Sequence, residues 1–109
     1  MEKHVYQTGL IGNCSYIAHV NKNTNISWLC WPRFDSSFVF GSILDSKKGG
    51  EFSILPSGDY TSIQYYKENT NVLCTEITTE TGKYKITDFA PRFRQFERYY
   101  KPLMLIRKV

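Results

Sequence analysis

Arg33 and Asp35 are the residues whose types and spacing most readily suggest chemistry in this sequence. They follow Trp31 and Pro32 and are separated by Phe34. Side chains two residues apart lie on the same side of an extended chain, so a guanidinium and a carboxylate can pair locally or act together on a ligand. An exposed pair of this kind contributes only about 0–1 kcal/mol to stability. The spacing therefore leaves open whether this corner forms part of a site or only stabilises its own turn.

A predicted strand positions the corner. Residues 28–31 are Trp-Leu-Cys-Trp, an apolar run without polar alternation, which is typical of a strand buried on both faces. Pro32 ends the strand and leaves the corner at its mouth. The pattern predicts that Trp28 belongs to the core, and it favours burial less strongly for Trp31.

Short strand-like segments recur along the chain at intervals of roughly eight to twelve residues, which is typical of an all-β protein. The predicted strands are 14–20, 26–31, 51–54, 62–65, 72–79, 83–87 and 103–109. Asp35 or Ser36 is expected to cap a single helical turn over 38–44. Gly82 is expected to take a left-handed conformation in the hairpin of 71–89. The sequence predicts an antiparallel β-sandwich with one short helical turn, rather than a closed barrel.

Composition and length indicate one small domain. The 109 residues are 41% apolar and 16% aromatic, which is enough to build a packed core. No segment approaches the roughly 18 consecutive apolar residues of a membrane span, and the first residues lack the apolar core of a signal peptide. We therefore expect a cytoplasmic protein that makes no membrane contact.

Cysteine and histidine usage excludes two common classes of small domain. Cys14, Cys30 and Cys74 are odd in number and widely spaced, so they form neither a disulfide framework nor a zinc knuckle. We expect all three to be buried, reduced thiols. His4 and His19 have no cysteine or carboxylate at ligand spacing. No metal or other cofactor is therefore expected.

The positive charge is concentrated at the end of the chain. Eight basic and two acidic residues give 83–109 a net charge of +6, and the first 82 residues carry −2 of the total of +4. Phe93, Phe96, Tyr99 and Tyr100 are interspersed with these charges. Cations alternating with rings can bind single-stranded nucleic acid. We favour a solvated loop whose charges face water or another domain, and we expect no nucleic-acid partner.

Catalytic motifs are absent from the sequence. It contains no glycine-rich phosphate loop, nucleophile elbow or histidine cluster, and its carboxylates are scattered singly. The residues alone support a β domain with an aromatic corner that bears Arg33 and Asp35.

Five segments resemble, in order and at similar spacing, the start of glycoside hydrolase family 15, which includes bacterial and archaeal glucoamylases and trehalase-like enzymes. They are GNC at 12–14, ISWLCWPRFDS at 26–36, GGEFSILP at 49–56, NTNVL at 69–73 and ITDFAP at 86–91. Thr24 and Asn25 replace a usual glycine turn, Ser27 replaces an acidic residue, and Trp31 replaces leucine. The resemblance covers nearly the whole chain.

The resemblance implies a larger enzyme. Residues 1–109 would be an N-terminal β-sandwich domain, truncated at its C-terminal end, and the catalytic (α/α)6 barrel would be absent. Such enzymes hydrolyse α-glucosidic bonds with inversion, which requires an acid and a base held about 6.5–9.5 Å apart. Because both groups lie in the barrel, this fragment is expected to be inactive by itself. Its expected partners are the barrel and, through it, an α-glucoside such as trehalose or an α-1,4-glucan.

The resemblance also suggests a role for the corner. Trp31, Arg33, Phe34 and Asp35 would dock on the barrel and help to shape its sugar pocket, or Arg33 and Asp35 would only hold the corner to its own sandwich. Half a sandwich would expose an apolar face or a strand edge, so we expect the fragment to form a homo-oligomer.

Two other functions remain open at this point. A free-standing carbohydrate-binding module would use Trp28, Trp31 and Tyr65 as stacking platforms. A nucleic-acid-binding β domain would use the basic stretch from Lys83 onward.

Overall fold

The structure is a computed structural model that describes residues 7–109, in which the chain forms β-strands and no helix. The strands are β1 (Thr8–Gly12), β2 (Ile17–Asn21), β3 (Ile26–Cys30), β4 (Phe38–Phe40), β5 (Thr61–Tyr66), β6 (Leu73–Thr78), β7 (Lys83–Phe89), β8 (Phe93–Gln95), β9 (Arg98–Tyr100) and β10 (Ile106–Lys108). Within this range, no helix could span a membrane. The all-β prediction is confirmed.

Two four-stranded antiparallel sheets build the domain. The first has the order β1-β2-β3-β4, the second has the order β10-β7-β6-β5, and β8 and β9 form a separate two-stranded ribbon. The buried core joins the two sheets, because Leu73 of β6 packs among apolar residues of the first sheet. A Cβ at Gly9 would lie only 2.6 Å from a methyl carbon of Leu73, so glycine permits this close approach. The arrangement is consistent with the predicted β-sandwich.

The core follows the alternation of the strands. In β2, Ala18 and Val20 are buried and their neighbours are half-buried; in β7, Ile86 and Asp88 are buried while Lys83 and Lys85 face solvent. Period-two alternation places every second side chain on the inner face. The fully buried apolar side chains are Ile11, Tyr16, Ala18, Val20, Ile26, Leu73, Ile77 and Ile86.

The helical turn predicted over 38–44 is wrong. Phe38–Phe40 is strand β4, which pairs antiparallel with β3 so that Phe40 lies opposite Leu29. The Phe38 ring stacks on Trp28 with ring centroids 5.9 Å apart. A hydrogen-bonded turn follows the strand, in which the N–H groups of Leu44 and Asp45 donate to the Gly41 carbonyl. Cross-strand ring packing therefore outweighed an apolar spacing that suited a helix equally well.

Other local predictions also needed correction. Trp28 is half-buried and lies outside the main core cluster, and Cys14 is exposed, whereas Cys30 and Cys74 are buried as expected. Gly82 does not take the predicted left-handed conformation; among the described glycines Gly50 does, with φ of +80°.

Three predicted strands are shorter than expected by three or more residues. The segment 14–20 becomes strand only from Ile17, 51–54 contributes a single bridge from Phe52 to Ile26, and 103–109 is strand only over β10. Leu103 and Met104 are exposed rather than buried. The hairpin of β6 and β7 is confirmed.

Candidate functional site

The corner after β3 is a short hydrogen-bonded turn. The Ser36 N–H donates to the Arg33 carbonyl at 3.1 Å, and the Arg33 N–H donates to the Ser36 hydroxyl at 3.2 Å. Such a turn closes because serine accepts locally from the backbone. It presents the Arg33, Phe34 and Asp35 side chains to solvent.

Arg33 and Asp35 form the local pair that their spacing predicted. Arg33 Nε lies 3.5 Å from Asp35 Oδ1, and the two side chains are 73% and 76% exposed. Water competes for both groups, so this pair stabilises the fold little. Both side chains therefore remain accessible to another surface or to a ligand.

Trp31 and Phe34 point in different directions. Trp31 packs inward against the core, with its ring 4.7 Å from that of the buried Tyr16. The Tyr16 hydroxyl donates to the Met104 carbonyl, and burial raises the pKa of Tyr16 to about 12. Phe34 is 56% exposed. Of the four predicted site residues, Trp31 anchors the corner to the core, whereas Phe34, Arg33 and Asp35 form its solvent-facing surface.

Phe34 borders a groove at one end of the sandwich, which we call the end groove. One half, of about 460 Å³, lies between Phe34 and Tyr66; the other, of about 500 Å³, extends to Arg92 and Phe93. The two halves share Gly12, Cys14, Thr70 and Asn71. Aromatic side chains thus lie at both ends of a polar middle.

Four of the five segments that carry the family resemblance meet at the end groove. The residues of these segments that line the groove are Gly12 to Cys14, Phe34, Asn69 to Val72, and Phe89 to Pro91. These segments are separated along the chain by strands, and only the packing of the two sheets brings their loops to the same end. Single-sequence spacing could not identify this convergence, although each segment was already recognisable.

The end groove offers groups for binding but no carboxyl pair for glycoside hydrolysis. Its lining provides amide, hydroxyl and guanidinium groups and aromatic rings, and it includes no aspartate or glutamate. Amides and hydroxyls can both donate and accept hydrogen bonds, which suits neutral polyhydroxylated ligands. Glycoside hydrolases typically use a pair of carboxyl groups as acid and base, and this lining has none.

Sequence reasoning missed a second Arg–Asp pair, Arg107 with Asp88, which lies in the interior. Arg107 Nε donates to Asp88 Oδ1 at 2.7 Å, and Nη2 donates to Oδ2 at 3.2 Å. The side chains are 4% and 0% exposed. The same guanidinium donates to the carbonyls of Thr24 and Phe52 and lies 4.8 Å from the centroid of the Phe52 ring. It therefore joins the second sheet to two loops of the first.

The electrostatics of this pair indicate a structural role. Burial raises the pKa of Asp88, and the hydrogen bonds and charge of Arg107 lower it only in part. Asp88 is the one buried carboxylate among residues 7–109, and both of its oxygens are bound by Arg107. The two residues are 19 positions apart and become direct partners through the register of β7 and β10. Asp88 stands in a segment that carries the resemblance, but nothing in the sequence points to Arg107.

The remaining candidate ligands do not assemble. In the part of the chain that the structure describes, no three His, Cys, Asp or Glu side chains could hold a metal together. His19 lies in β2, where burial lowers its pKa, and His4 lies outside the described residues. Of Trp28, Trp31 and Tyr65, the three residues named for a carbohydrate platform, Trp28 and Tyr65 belong to different sheets.

Comparison with known proteins identifies the family. Residues 2–104 match the family described as "Trehalase-like, N-terminal". The chain belongs to this family. The assignment agrees with the resemblance to the start of glycoside hydrolase family 15 enzymes, and it covers the corner, the end groove and the segment from β8 to β9.

Curated relatives show similarity over a small part of their own length. A trehalase of Thermoplasma volcanium is 50% identical over 88 residues, which is 76% of this chain and 14% of that protein. A trehalase of Thermoplasma acidophilum is 50% identical over 76 residues, or 66% of this chain and 13% of that protein. Trehalase 1 of Sulfolobus acidocaldarius is 43% identical over 83 residues, again 76% and 14%. No solved structure gave a significant match.

Proposed function

We propose that this chain is the non-catalytic N-terminal domain of a trehalase-like enzyme of glycoside hydrolase family 15. The observation that carries the proposal is the family match over residues 2–104, together with relatives named trehalase in which the matched part is about one seventh of the length. The reaction, inverting hydrolysis of an α-glucosidic bond in the cytoplasm, then belongs to an (α/α)6 catalytic domain. Trehalose is the substrate that the relatives' names favour, and a glucoamylase-type α-1,4-glucan is the alternative.

The carboxylates of this domain support a non-catalytic role. An inverting hydrolase needs a protonated acid and an ionised base on opposite sides of one sugar. Asp88 is buried and bound by Arg107, and the end groove contains no carboxylate. None of the other acidic residues of the described chain is among the residues that line this groove. The domain can therefore shape a site without supplying its acid and base.

We further propose that the corner borders the substrate pocket of the catalytic domain. Arg33 and Asp35 are exposed and available for hydroxyl groups or for side chains of that domain, and Phe34 offers an apolar face beside them. Trp31 positions this surface by packing on Tyr16. The convergence of four family segments on the adjacent end groove supports this location.

A domain exchange tests the proposal. This chain would replace the N-terminal stretch of the Thermoplasma volcanium trehalase with which it shares 50% identity over 88 residues. We expect the isolated 109-residue chain to release no glucose from trehalose, whereas the chimera hydrolyses it. Glucose release is measured for both proteins, and their cooperative melting serves as the control for folding.

One substitution then tests the corner. Arg33→Ala in the chimera should lower kcat/KM for trehalose by about tenfold or more, because a lost charge-assisted hydrogen bond contributes about 1.5–3 kcal/mol. Its melting temperature should stay unchanged, and Lys47→Ala, another exposed basic residue, serves as the matched control. Hydrolysis by the isolated chain contradicts the non-catalytic role. A fall in melting temperature without loss of turnover removes the pocket role of the corner.

Association of the isolated chain is a further part of the proposal. A depression of about 510 Å³ between the sheets is lined by apolar residues, of which Val39, Phe52 and Met104 are exposed. Exposed apolar surface of this kind favours contact between chains. We expect a dimer or larger assembly in light scattering at moderate concentration, and a monomer would contradict this expectation.

A further inference from the structure

Residues 92–101 form a ribbon outside both sheets, which we call the arm. Strands β8 and β9 pair antiparallel, with Phe93 opposite Tyr100 and Gln95 opposite Arg98. Every residue of the arm is exposed, and neither strand pairs with a strand of the two main sheets. A two-stranded ribbon without a covering layer is only marginally stable. The arm therefore keeps its shape through contacts between its own side chains.

The side chains of the arm cover one another on both faces. On one face, the Phe93 and Tyr100 rings meet edge to face with centroids 5.2 Å apart. On the other face, the guanidinium of Arg92 lies 5.0 Å from the centroid of the Tyr99 ring. Cation–ring contacts and edge-to-face pairs each add modest stability. Three of the four aromatic residues are thus engaged within the arm.

Phe96 is the exception, and its backbone is unusual. It occupies the two-residue tip with Glu97, and their φ angles are +50° and +61°. Such tips favour Asn-Gly, and a bulky residue at positive φ is strained. The Phe96 side chain is 88% exposed, so it makes no contact that offsets the strain. Strain retained at an exposed position points to a role outside the domain itself.

The arm is strongly basic. Arg92, Arg94, Arg98 and Lys101 oppose the single acidic residue Glu97, which gives 92–101 a net charge of +3. The ion pairs of the described chain involve Arg33 and Arg107, so none of the arm's cations is neutralised by residues 7–109. Cations that form no ion pair within residues 7–109, placed around an apolar tip, complement an acidic surface that contains an apolar hollow.

The base of the arm lies beside the candidate site. Arg92 and Phe93 line the half of the end groove opposite Phe34. The corner and the arm therefore flank the same end of the sandwich. A partner that covers this groove from the corner would also reach the base of the arm.

We infer that the arm docks on the catalytic domain of the same enzyme, with Phe96 inserted into an apolar hollow at an acidic mouth. The inference rests on the proposed function, which places a carboxyl pair in that domain and hence negative charge near its opening. The curated relatives are about seven times longer than the matched segment, so they contain ample chain to supply this surface.

Single-stranded nucleic acid fits the arm less well. Stacking platforms need ring faces that are free for successive bases. Arg92 covers a face of Tyr99, while Phe93 and Tyr100 pack on each other, so Phe96 alone is fully available. One free aromatic ring surrounded by cations is better suited to bind in a single apolar hollow of a protein surface.

Limited proteolysis tests the docking. Trypsin cleaves after arginine, and the Arg98–Tyr99 bond lies in the arm. In the isolated chain this bond should be cut rapidly, because the arm is exposed. In the trehalase chimera described above, we expect cleavage of this bond to slow by about tenfold or more, since docking must open before the protease can act.

Matched variants separate docking from folding. Phe96→Gly should leave the melting temperature of the isolated chain unchanged or higher, because glycine accepts positive φ, yet it should remove the protection in the chimera. Arg94→Glu should also remove the protection, and so should high salt. Leu44→Gly and Lys47→Glu change another exposed apolar turn residue and another exposed cation, and they should leave the protection intact.

The outcomes distinguish this inference from the proposed function. Equal cleavage rates in the isolated chain and in a chimera that hydrolyses trehalose overturn the docking of the arm and leave the proposed function standing. A protected arm in a folded but inactive chimera contradicts the proposed function instead. If the chimera aggregates, the Thermoplasma volcanium trehalase without its N-terminal stretch is added to the isolated chain as a separate protein. If this addition does not slow cleavage of the Arg98–Tyr99 bond, the docking of the arm is also overturned. Protection produced by single-stranded DNA but not by the trehalase assigns the arm to nucleic acid and overturns it as well.

Discussion

Two Arg–Asp pairs occur among residues 7–109, and they differ in nearly every respect. Arg33 and Asp35 are two residues apart, 3.5 Å from each other and about three-quarters exposed. Arg107 and Asp88 are 19 residues apart, 2.7 Å from each other and almost fully buried. The first was visible in the sequence and the second was not. Burial, rather than residue type, decides what each pair does.

The difference follows from solvation. Water stabilises each charge of the exposed pair nearly as well as the opposite charge does. Arg33 and Asp35 can therefore give up their contact with each other and bind a ligand or another domain instead. The buried pair has no such freedom, because a charge left alone in the interior cannot be solvated. Arg107 also binds the Thr24 and Phe52 carbonyls, so its loss would leave several buried groups unsatisfied.

The largest expected effect comes from breaking the buried pair. Arg107→Met should reduce the free energy of unfolding by about 3–5 kcal/mol, because it leaves Asp88 buried without its cation. Urea unfolding of the isolated chain measures the loss. The double variant Asp88→Leu/Arg107→Met should recover part of it, since no charge then remains buried. A loss below about 1 kcal/mol for the single variant would show that water reaches the pair.

The pH dependence of that variant sharpens the comparison. Burial already raises the pKa of Asp88, and Arg107→Met removes the group that lowers it, so the pKa in the folded variant rises further. A folded pKa above the unfolded value means that protonation favours folding; this stability is present at low pH and is lost as pH rises through the folded pKa. The penalty of Arg107→Met should therefore be smaller at about pH 5 than at about pH 7. An equal or larger penalty at the lower pH contradicts this assignment.

The exposed pair should show almost no coupling. Arg33→Ala and Asp35→Ala should each change the free energy of unfolding by less than about 1 kcal/mol, with an interaction energy of about 0–0.5 kcal/mol in a double-mutant cycle. The same unfolding assay measures both pairs. An interaction energy above about 2 kcal/mol would make the corner a structural element.

The smallest effect concerns the three thiols and leaves stability unchanged. Cys14 is exposed in the β1–β2 loop, 3.5 Å from Arg92 Nη1, whereas Cys30 and Cys74 are buried. One thiol per folded chain should react rapidly with Ellman's reagent, and the other two should react only after unfolding. Cys14→Ser should abolish the rapid reaction. Rapid reaction of two or three thiols would show that a sheet opens.

Local sequence patterns predicted the strands correctly where the residues of the segment favour a strand by themselves. The hairpin of β6 and β7 was predictable because branched residues and alternation agree with its final packing. The turn over 38–44 was not, because its apolar spacing suits a helix and a strand equally. Only the pairing of β4 with β3 and the stacking of Phe38 on Trp28 decided between them.

The candidate site divides in the same way. Arg33, Phe34 and Asp35 lie together in the sequence, so their common exposure at one turn could be anticipated. The neighbours that complete the end groove, such as Asn71 and Arg92, come from distant loops. The conformation of Phe96 also depends on the register of β8 and β9, which places it in a two-residue tip.

By itself, the sequence determined the β class of the domain, the aromatic corner and its family, because alternation, turn residues and motifs are local properties of the chain. Tertiary structure alone decided that Asp88 meets Arg107, that Trp31 packs inward while Phe34 faces out, and that four separate segments share one groove. These facts depend on the register of strands and on how two sheets face each other. The register of the strands and the packing of one sheet on the other arise from the burial of many side chains at once, which no single segment encodes.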